Sequence, residues 1–137
     1  MRERLSDRIE WISIQDILTN GWASCDSKAI NIDSSKCIAL HEDEWNKLLD
    51  VKRADRKYKS LLKKITECGL LVPCNYYIEC GMYVHGNGHH RLAAAIDLGW
   101  ERLPYIQVED GKHLGWYWKK ETFAKANLME YVHEFPQ

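Results

Sequence analysis

The chain has 137 residues, 45% of them hydrophobic, which is enough for one domain with a core of its own. Its formal net charge of −1 at pH 7 excludes an overall basic field of the kind that attracts nucleic acid. No stretch is long and apolar enough to span a membrane, and the charged start from Met1 to Arg8 lacks a signal-peptide core. We therefore expect a single cytoplasmic domain over residues 1–137.

The first part of the chain predicts one strand, a short helical turn and a surface loop. The residues from Ile9 to Ile14 include three isoleucines and a tryptophan, which favour a strand. A turn of helix is expected near Asp16 to Leu18. The turn-forming residues between Asn20 and Ser35 predict a surface loop.

The segment 42–68 is rich in helix-forming residues but has two apolar groups that a single helix cannot bury together. At about 100° per residue, the groups point to nearly opposite sides. They are Trp45, Leu48 and Leu49 in the first half, and Tyr58, Leu61, Leu62 and Ile65 in the second. We therefore predict two helices with a break between Val51 and Asp55, the second ending at Gly69.

Four cations of the second predicted helix fall on one stripe opposite its apolar residues: Lys52, Arg56, Lys59 and Lys63. A solvated helix face commonly has this composition. The functional alternative is contact with the phosphate backbone of DNA or RNA. Asp50 and Asp55 dilute the positive charge nearby, so the stripe alone does not decide between the two interpretations.

The second half of the chain predicts a β-hairpin, a helix and a returning strand. The strands are expected at 76–78 and 82–84, with the turn at Cys80 and Gly81. An alanine-rich helix follows from about His89 to Leu98 and ends at Gly99. A strand at 103–108 and a C-terminal amphipathic helix at about 120–133 complete the prediction.

Between the hairpin and this helix lies a glycine-rich turn composed of Gly86, Asn87, Gly88, His89, His90 and Arg91. Glycine permits backbone angles that a side chain would penalise. A helix that begins directly after such a turn directs its free backbone N–H groups and its positive dipole end toward one point. Arg91 and the two imidazoles add further donors. The turn therefore predicts an anion-binding site that suits a phosphate.

The five cysteines form neither an even set nor a Cys-x-x-Cys pair, which favours reduced thiols that serve mainly in packing. A zinc site built from these cysteines and the histidines near the turn would need paired ligand spacing. The sequence lacks such spacing, so we predict no metal site of this kind.

The segment 65–108 resembles the core of the ParB/sulfiredoxin-like superfamily. It reproduces, in order, a helix, a Gly-(apolar)-x-Pro turn, a hairpin, a Gly-x-x-Arg turn, a helix, Leu-Gly, and a strand that contains Pro104. The matching segment is about a third of the chain. The resemblance implies a compact α/β (α+β) domain, with a small mixed sheet and flanking helices.

Two branches of this superfamily fit the turn incompletely. Sulfiredoxins carry a turn like Gly-Gly-Cys-His-Arg, and His89 stands where their nucleophilic cysteine would be, so we do not expect sulfiredoxin activity. Chromosome-partitioning ParB proteins carry a turn like Gly-Glu-Arg-Arg that binds cytidine triphosphate. Gly88 and Arg91 match that turn, whereas His89 and His90 do not. A chain of this length is not expected to hold the DNA-binding and dimerisation regions of those proteins.

The turn is most similar to the Asp-Gly-His-x-Arg motif of superfamily members such as ADP-dependent free-serine kinases and small phage or plasmid proteins. Asn87 stands here in place of the Asp. This resemblance implies a nucleoside di- or triphosphate ligand, with or without Mg²⁺, and phosphoryl transfer or hydrolysis. His89 and His90 are the catalytic candidates. No general base can be assigned from the motif, so the sequence leaves enzymatic activity open.

One of the two histidines is expected to face the ligand, since consecutive residues of a helix point about 100° apart. By analogy with the sulfiredoxin cysteine, we predict that it is His89.

Two alternatives to a nucleotide-dependent function stay open. Metal-assisted nuclease chemistry would require carboxylates that converge on a metal ion. The acids that flank the core show no such spacing: Glu79, Asp97, Glu109 and Asp110. The other alternative is a non-catalytic module of a phage or plasmid that binds DNA or a host protein.

Overall fold

The computed structural model describes residues 9–23, 38–70 and 73–109. These residues form nine elements in the order β1 (Ile9–Ser13), α1 (Ile14–Thr19), β2 (Gly21–Ala23), α2 (Glu42–Ala54), α3 (Lys57–Cys68), β3 (Cys74–Glu79), β4 (Met82–Asn87), α4 (His89–Asp97) and β5 (Arg102–Gln107). The helix predicted at about 120–133 and most of the predicted surface loop lie outside the described residues.

The five strands form one mixed sheet in the order β1-β5-β3-β4-β2. The pairs β1–β5 and β3–β4 are antiparallel, whereas β3–β5 and β2–β4 are parallel. Helix α4 contacts α2, α3 and β5. Its buried residues are His89, Leu92 and three consecutive alanines, whose small side chains permit close packing. The predicted class, an α+β domain with a small mixed sheet and flanking helices, is confirmed.

The predicted break in the long helical segment is confirmed at Asp55, between α2 and α3. Asp55 has an extended backbone, and its carboxylate accepts a hydrogen bond of 2.9 Å from the Lys57 backbone N–H. Trp45, Leu48 and Leu49 on α2 are at most 2% exposed, and α3 buries its own apolar residues in the same core. The break thus resolves the conflict between the two apolar faces.

The predicted hairpin turn is also confirmed. Cys80 and Gly81 have positive φ angles of 55° and 75°, the combination that a two-residue type I′ turn requires.

The expectation of reduced thiols is wrong for Cys80, which is disulfide-bonded. Cys80 is exposed at the tip of the hairpin, and the spacing of the cysteines in the sequence does not show that it is bonded. Cys74 is a free, buried thiol.

One strand was not predicted. The surface loop predicted from Asn20 to Ser35 is wrong at its start, because Gly21–Ala23 forms β2, a buried strand parallel to β4. A Cβ on Gly21 would lie 2.6 Å from the Ile17 carbonyl oxygen, so the strand approaches α1 too closely for a side chain.

Among the described helices, none has the length and apolar composition needed to cross a bilayer.

Candidate functional site

The candidate site is the junction between β4 and α4, where the backbone changes direction at Gly88. Gly88 is the N-cap of α4 and has a left-handed conformation, with φ of 115° and ψ of 26°. Its carbonyl accepts the first helical hydrogen bond, from the Leu92 N–H at 2.8 Å. The preceding N–H groups of the first turn have no acceptor within the helix, and Gly88 provides no capping side chain. An anion can accept bonds from these amides.

Gly88 is also fixed by packing against β3. A Cβ at this position would lie 2.4 Å from the Cys74 Sγ atom and 2.9 Å from its Cβ atom. The Cys74 thiol donates a long hydrogen bond of 3.6 Å to the Gly88 carbonyl. Burial raises the pKa of this thiol to about 11, although the charge of Arg91 acts in the opposite direction. Cys74 is therefore a protonated packing residue at neutral pH.

The Arg91 guanidinium lies beside this turn. Its Nη1 atom donates a hydrogen bond of 2.6 Å to the Pro73 carbonyl. Its Nη2 atom lies 3.3 Å from the position that a Cβ on Gly88 would occupy. A guanidinium has five N–H donors, so the bond to Pro73 orients the group without excluding an anion. The structure thus places the predicted cation next to the first turn of α4.

The two histidines of the turn have different surroundings. His89 is 4% exposed, and its ring centroid lies 4.5 Å from that of His85 in β4. His90 is about one-third exposed, and its Nε2 atom lies 3.1 Å from the Asp55 carboxylate. The prediction that His89 is the ring facing a ligand is therefore not supported. His90 is the histidine whose side chain reaches the surface.

A buried polar cluster beneath the turn was not predicted. His85 is fully buried, and its ring contacts those of Trp45, His89 and Tyr105. Burial lowers the pKa of His85 well below its usual value, and the charges of His89 and Arg91 act in the same direction. Burial likewise raises the pKa of Tyr105 well above its usual value. Both side chains are therefore neutral at physiological pH and support the turn from inside.

The opposite end of α4 is held by a second polar group. The Asp97 carboxylate accepts hydrogen bonds from the Arg53 guanidinium, at 2.9 to 3.1 Å, and from the Tyr58 hydroxyl. Burial acts to raise the Asp97 pKa, but these bonds lower it below its usual value. Burial, followed by the bond to Asp97, raises the pKa of Tyr58 to about 12. Asp97, considered above as a nuclease carboxylate, thus joins α4 to α2 and α3.

The described residues contain no group of three or more histidine, cysteine or acidic side chains arranged to hold a metal ion.

The cationic stripe predicted on one helix is divided by the break at Asp55. Lys52 lies on α2, Arg56 lies at the break, and Lys59 and Lys63 lie on α3. The prediction that the four share a single helix is therefore wrong. Its cause is the position of the break, which falls after Lys52 rather than before it.

Neither a scan against protein-family models nor a search of curated proteins finds a match to this chain. Among solved structures, the chain is similar to a sulfiredoxin from Arabidopsis thaliana, with 18% identity and a TM-score of 0.45 over 86% of this chain and 94% of that one. It is also similar to a conserved hypothetical protein from Pyrococcus furiosus, with 13% identity and a TM-score of 0.48. That similarity covers 81% of this chain and 35% of the Pyrococcus chain, so this chain spans about a third of its length. Both similarities concern the fold alone.

Proposed function

We propose that this protein binds the phosphate group of a nucleotide at the turn from Gly86 to Arg91. The observation that carries the proposal is the left-handed Gly88, which opens α4 directly beside the oriented Arg91 guanidinium. Backbone donors, the positive end of a helix dipole and a fixed cation thereby meet at one point. The resemblance of Gly88, His89 and Arg91 to the Gly-His-x-Arg motif supports a nucleotide as the source of the phosphate.

The residues of the first turn of α4 have distinct roles in this proposal. The backbone N–H groups of the first turn of α4 bind phosphate oxygens, and Arg91 adds a bidentate contact. His90 lies at the surface beside these groups, where its Nε2 atom contacts Asp55. His89 binds no ligand but packs on His85 and keeps the turn in place. Mg²⁺, where required, would enter with the nucleotide phosphates, as is usual for this ion.

If the bound nucleotide reacts, His90 is the better candidate for a general base than the buried His89. A carboxylate bonded to a histidine holds the ring in a fixed orientation, as in catalytic triads. Asp55 can orient the His90 ring in this way. Its bonds to the Lys57 N–H and to His90 lower its pKa and keep the carboxylate ionised. If phosphoryl transfer or hydrolysis takes place at this site, His90 is the residue that we propose as its general base.

Isothermal titration calorimetry with ATP, ADP, CTP and GTP, each with Mg²⁺, tests this function. We expect at least one nucleotide to bind the parent protein. The Arg91→Ala variant should bind it roughly 10- to 100-fold more weakly, the range for lost hydrogen bonds to a charged group. The Lys47→Ala variant is the control, since Lys47 is an exposed cation on α2 and its replacement removes the same charge.

Two results would contradict the proposal: no binding of any nucleotide to the parent, or equal affinity in the Arg91→Ala variant. Because Arg91 also bonds Pro73, the melting temperature of each variant is measured alongside. An Arg91→Lys variant that melts like the parent but binds more weakly would separate the phosphate contact from a structural role.

A further inference from the structure

Helix α3 has an exposed face on which five of the seven residues are cations, the other two being Ser60 and Glu67, and the proposed nucleotide site does not use this face. At 100° per residue, this face spans about 160° on the side opposite to the buried Tyr58 and Ile65. Its five cations are all exposed. They are Arg56, which precedes the helix, and Lys57, Lys59, Lys63 and Lys64. We refer to these five residues as the α3 cationic face.

Glu67 lies on this face, whereas the other nearby carboxylates are bonded to residues outside it. Among the described residues, only Lys63 of the five forms an ion pair, with Glu67 at 3.9 Å, and both side chains are more than half exposed. Such a pair is weak. Asp55 is bonded to His90, and Asp50 and Asp97 are bonded to Arg53. The face is therefore locally positive, although the whole chain has a net charge of −1.

The surroundings of α3 indicate which kind of anion the face suits. A helix that binds a membrane surface places its apolar side in the lipid. Tyr58 and Ile65, on the apolar side of α3, are only 5% and 6% exposed and belong to the core. That side is thus occupied. The cationic face also carries no aromatic ring on which a base could stack, so contact with a phosphate backbone fits it better than base recognition.

We propose that the α3 cationic face binds the phosphodiester backbone of a nucleic acid without sequence preference, at a surface separate from the turn at Gly88. From Arg56 to Lys64 the helix extends about 12 Å. A DNA strand carries one phosphate per about 3.4 Å of its axis, so the face matches about three phosphates. The logarithm of the binding constant should therefore fall with the logarithm of salt concentration with a slope of about −3.

Fluorescence anisotropy with a short, labelled duplex of mixed sequence, measured over a series of salt concentrations, tests this proposal on the full chain. The parent should show the slope of about −3. Lys59→Glu should reduce the affinity about tenfold at low salt and flatten the slope by about one unit. Lys47→Glu is the matched control, because Lys47 is an exposed lysine on α2 and the charge change is identical. It should retain the parental slope.

An equal effect of the two reversals, or no binding of the duplex by the parent, would overturn the proposal. Vesicles of phosphatidylcholine and phosphatidylserine serve as a second probe, and binding to them but not to DNA would also overturn it. Nucleotide titration of Lys59→Glu should match that of the parent. A failure at the α3 cationic face is thereby distinguishable from a failure of the proposed nucleotide site.

Discussion

The two ends of helix α4 both depend on a glycine in a left-handed conformation, yet for different reasons. Gly88 precedes the helix with φ of 115°, and Gly99 follows it with φ of 76°. A Cβ on Gly88 would lie 2.4 Å from Cys74 Sγ, whereas a Cβ on Gly99 would have no atom within 4 Å. At Gly88 both the positive φ angle and the close packing require glycine, whereas at Gly99 only the positive φ angle does. The end of α4 with the candidate site is thus the more tightly constrained.

The polar contacts at the two ends differ as well. At the first end, His90 meets a single carboxylate, Asp55, and both side chains are about one-third exposed. At the last end, Asp97 receives bonds from both Arg53 and the buried Tyr58. The last end is thus held chiefly by polar contacts. The first end is held chiefly by the packing of Gly88 against Cys74 and of His89 against His85.

Alanine substitution at the two glycines should show the largest difference between the ends. Gly88→Ala combines a left-handed alanine, which costs about 1–2 kcal/mol, with overpacking, which costs about 1–3 kcal/mol. We expect a loss of about 3 kcal/mol in the free energy of unfolding, against about 1 kcal/mol for Gly99→Ala. Urea denaturation measures both. Equal losses would contradict the comparison, and a Cys74→Ala background should reduce the penalty at Gly88 alone.

The buried histidine beneath the first end should make stability depend on pH. The pKa of His85 is lowered in the folded protein, whereas in the unfolded chain it is near ~6.5. The contribution of His85 to the free energy of unfolding is therefore constant above pH ~6.5, the pKa in the unfolded chain. Below that pH the protein loses stability, because the unfolded chain binds a proton that the folded protein does not. The loss should be measurable between pH 7 and pH 5. Denaturation of His85→Gln at both pH values should lack this part of the decrease, and an unchanged decrease would reject the assignment.

Removal of the polar contacts at the two ends of α4 should give the smallest difference in stability between the ends. Asp97→Ala removes the bonds to Arg53 and Tyr58 and should lower the free energy of unfolding by about 1.5 kcal/mol. His90→Ala should cause a clearly smaller loss, because its single partner is exposed. Since the Asp97 pKa is lowered, its contribution is present at neutral pH and disappears as pH falls below about 4. Thermal melts of both variants at neutral and acidic pH measure these losses of stability. A larger loss in His90→Ala than in Asp97→Ala would contradict the prediction.

Much of the fold follows from local patterns in the sequence. The opposed apolar groups around Trp45 and Tyr58 require the break between α2 and α3. Cys80 and Gly81 mark the hairpin turn, and Gly88 marks the start of α4. These features depend on neighbouring residues and on fixed helical or strand periods, so they can be derived without knowledge of distant contacts.

The features that the sequence did not predict depend on contacts between distant segments. Strand β2 has only three residues, too few to show an alternating pattern. Val84 and His85 are both fully buried, so β4 shows no alternation that would distinguish His85 as a core residue. The pairing of His90 with Asp55 joins α4 to the end of α2, and the burial of His89 follows from that orientation. Without these contacts, the two adjacent histidines could not be told apart.

Binding of a phosphate at the first turn of α4 is tested most directly by nuclear magnetic resonance. Backbone amide signals of the ¹⁵N-labelled protein are followed during titration with the nucleotide that binds best and, separately, with the matching nucleoside. The proposal predicts that the amides of His89, His90 and Arg91 shift with the nucleotide, and shift little with the nucleoside, which lacks the phosphate. Equal shifts with both ligands, or shifts that leave these three amides unchanged, would contradict it.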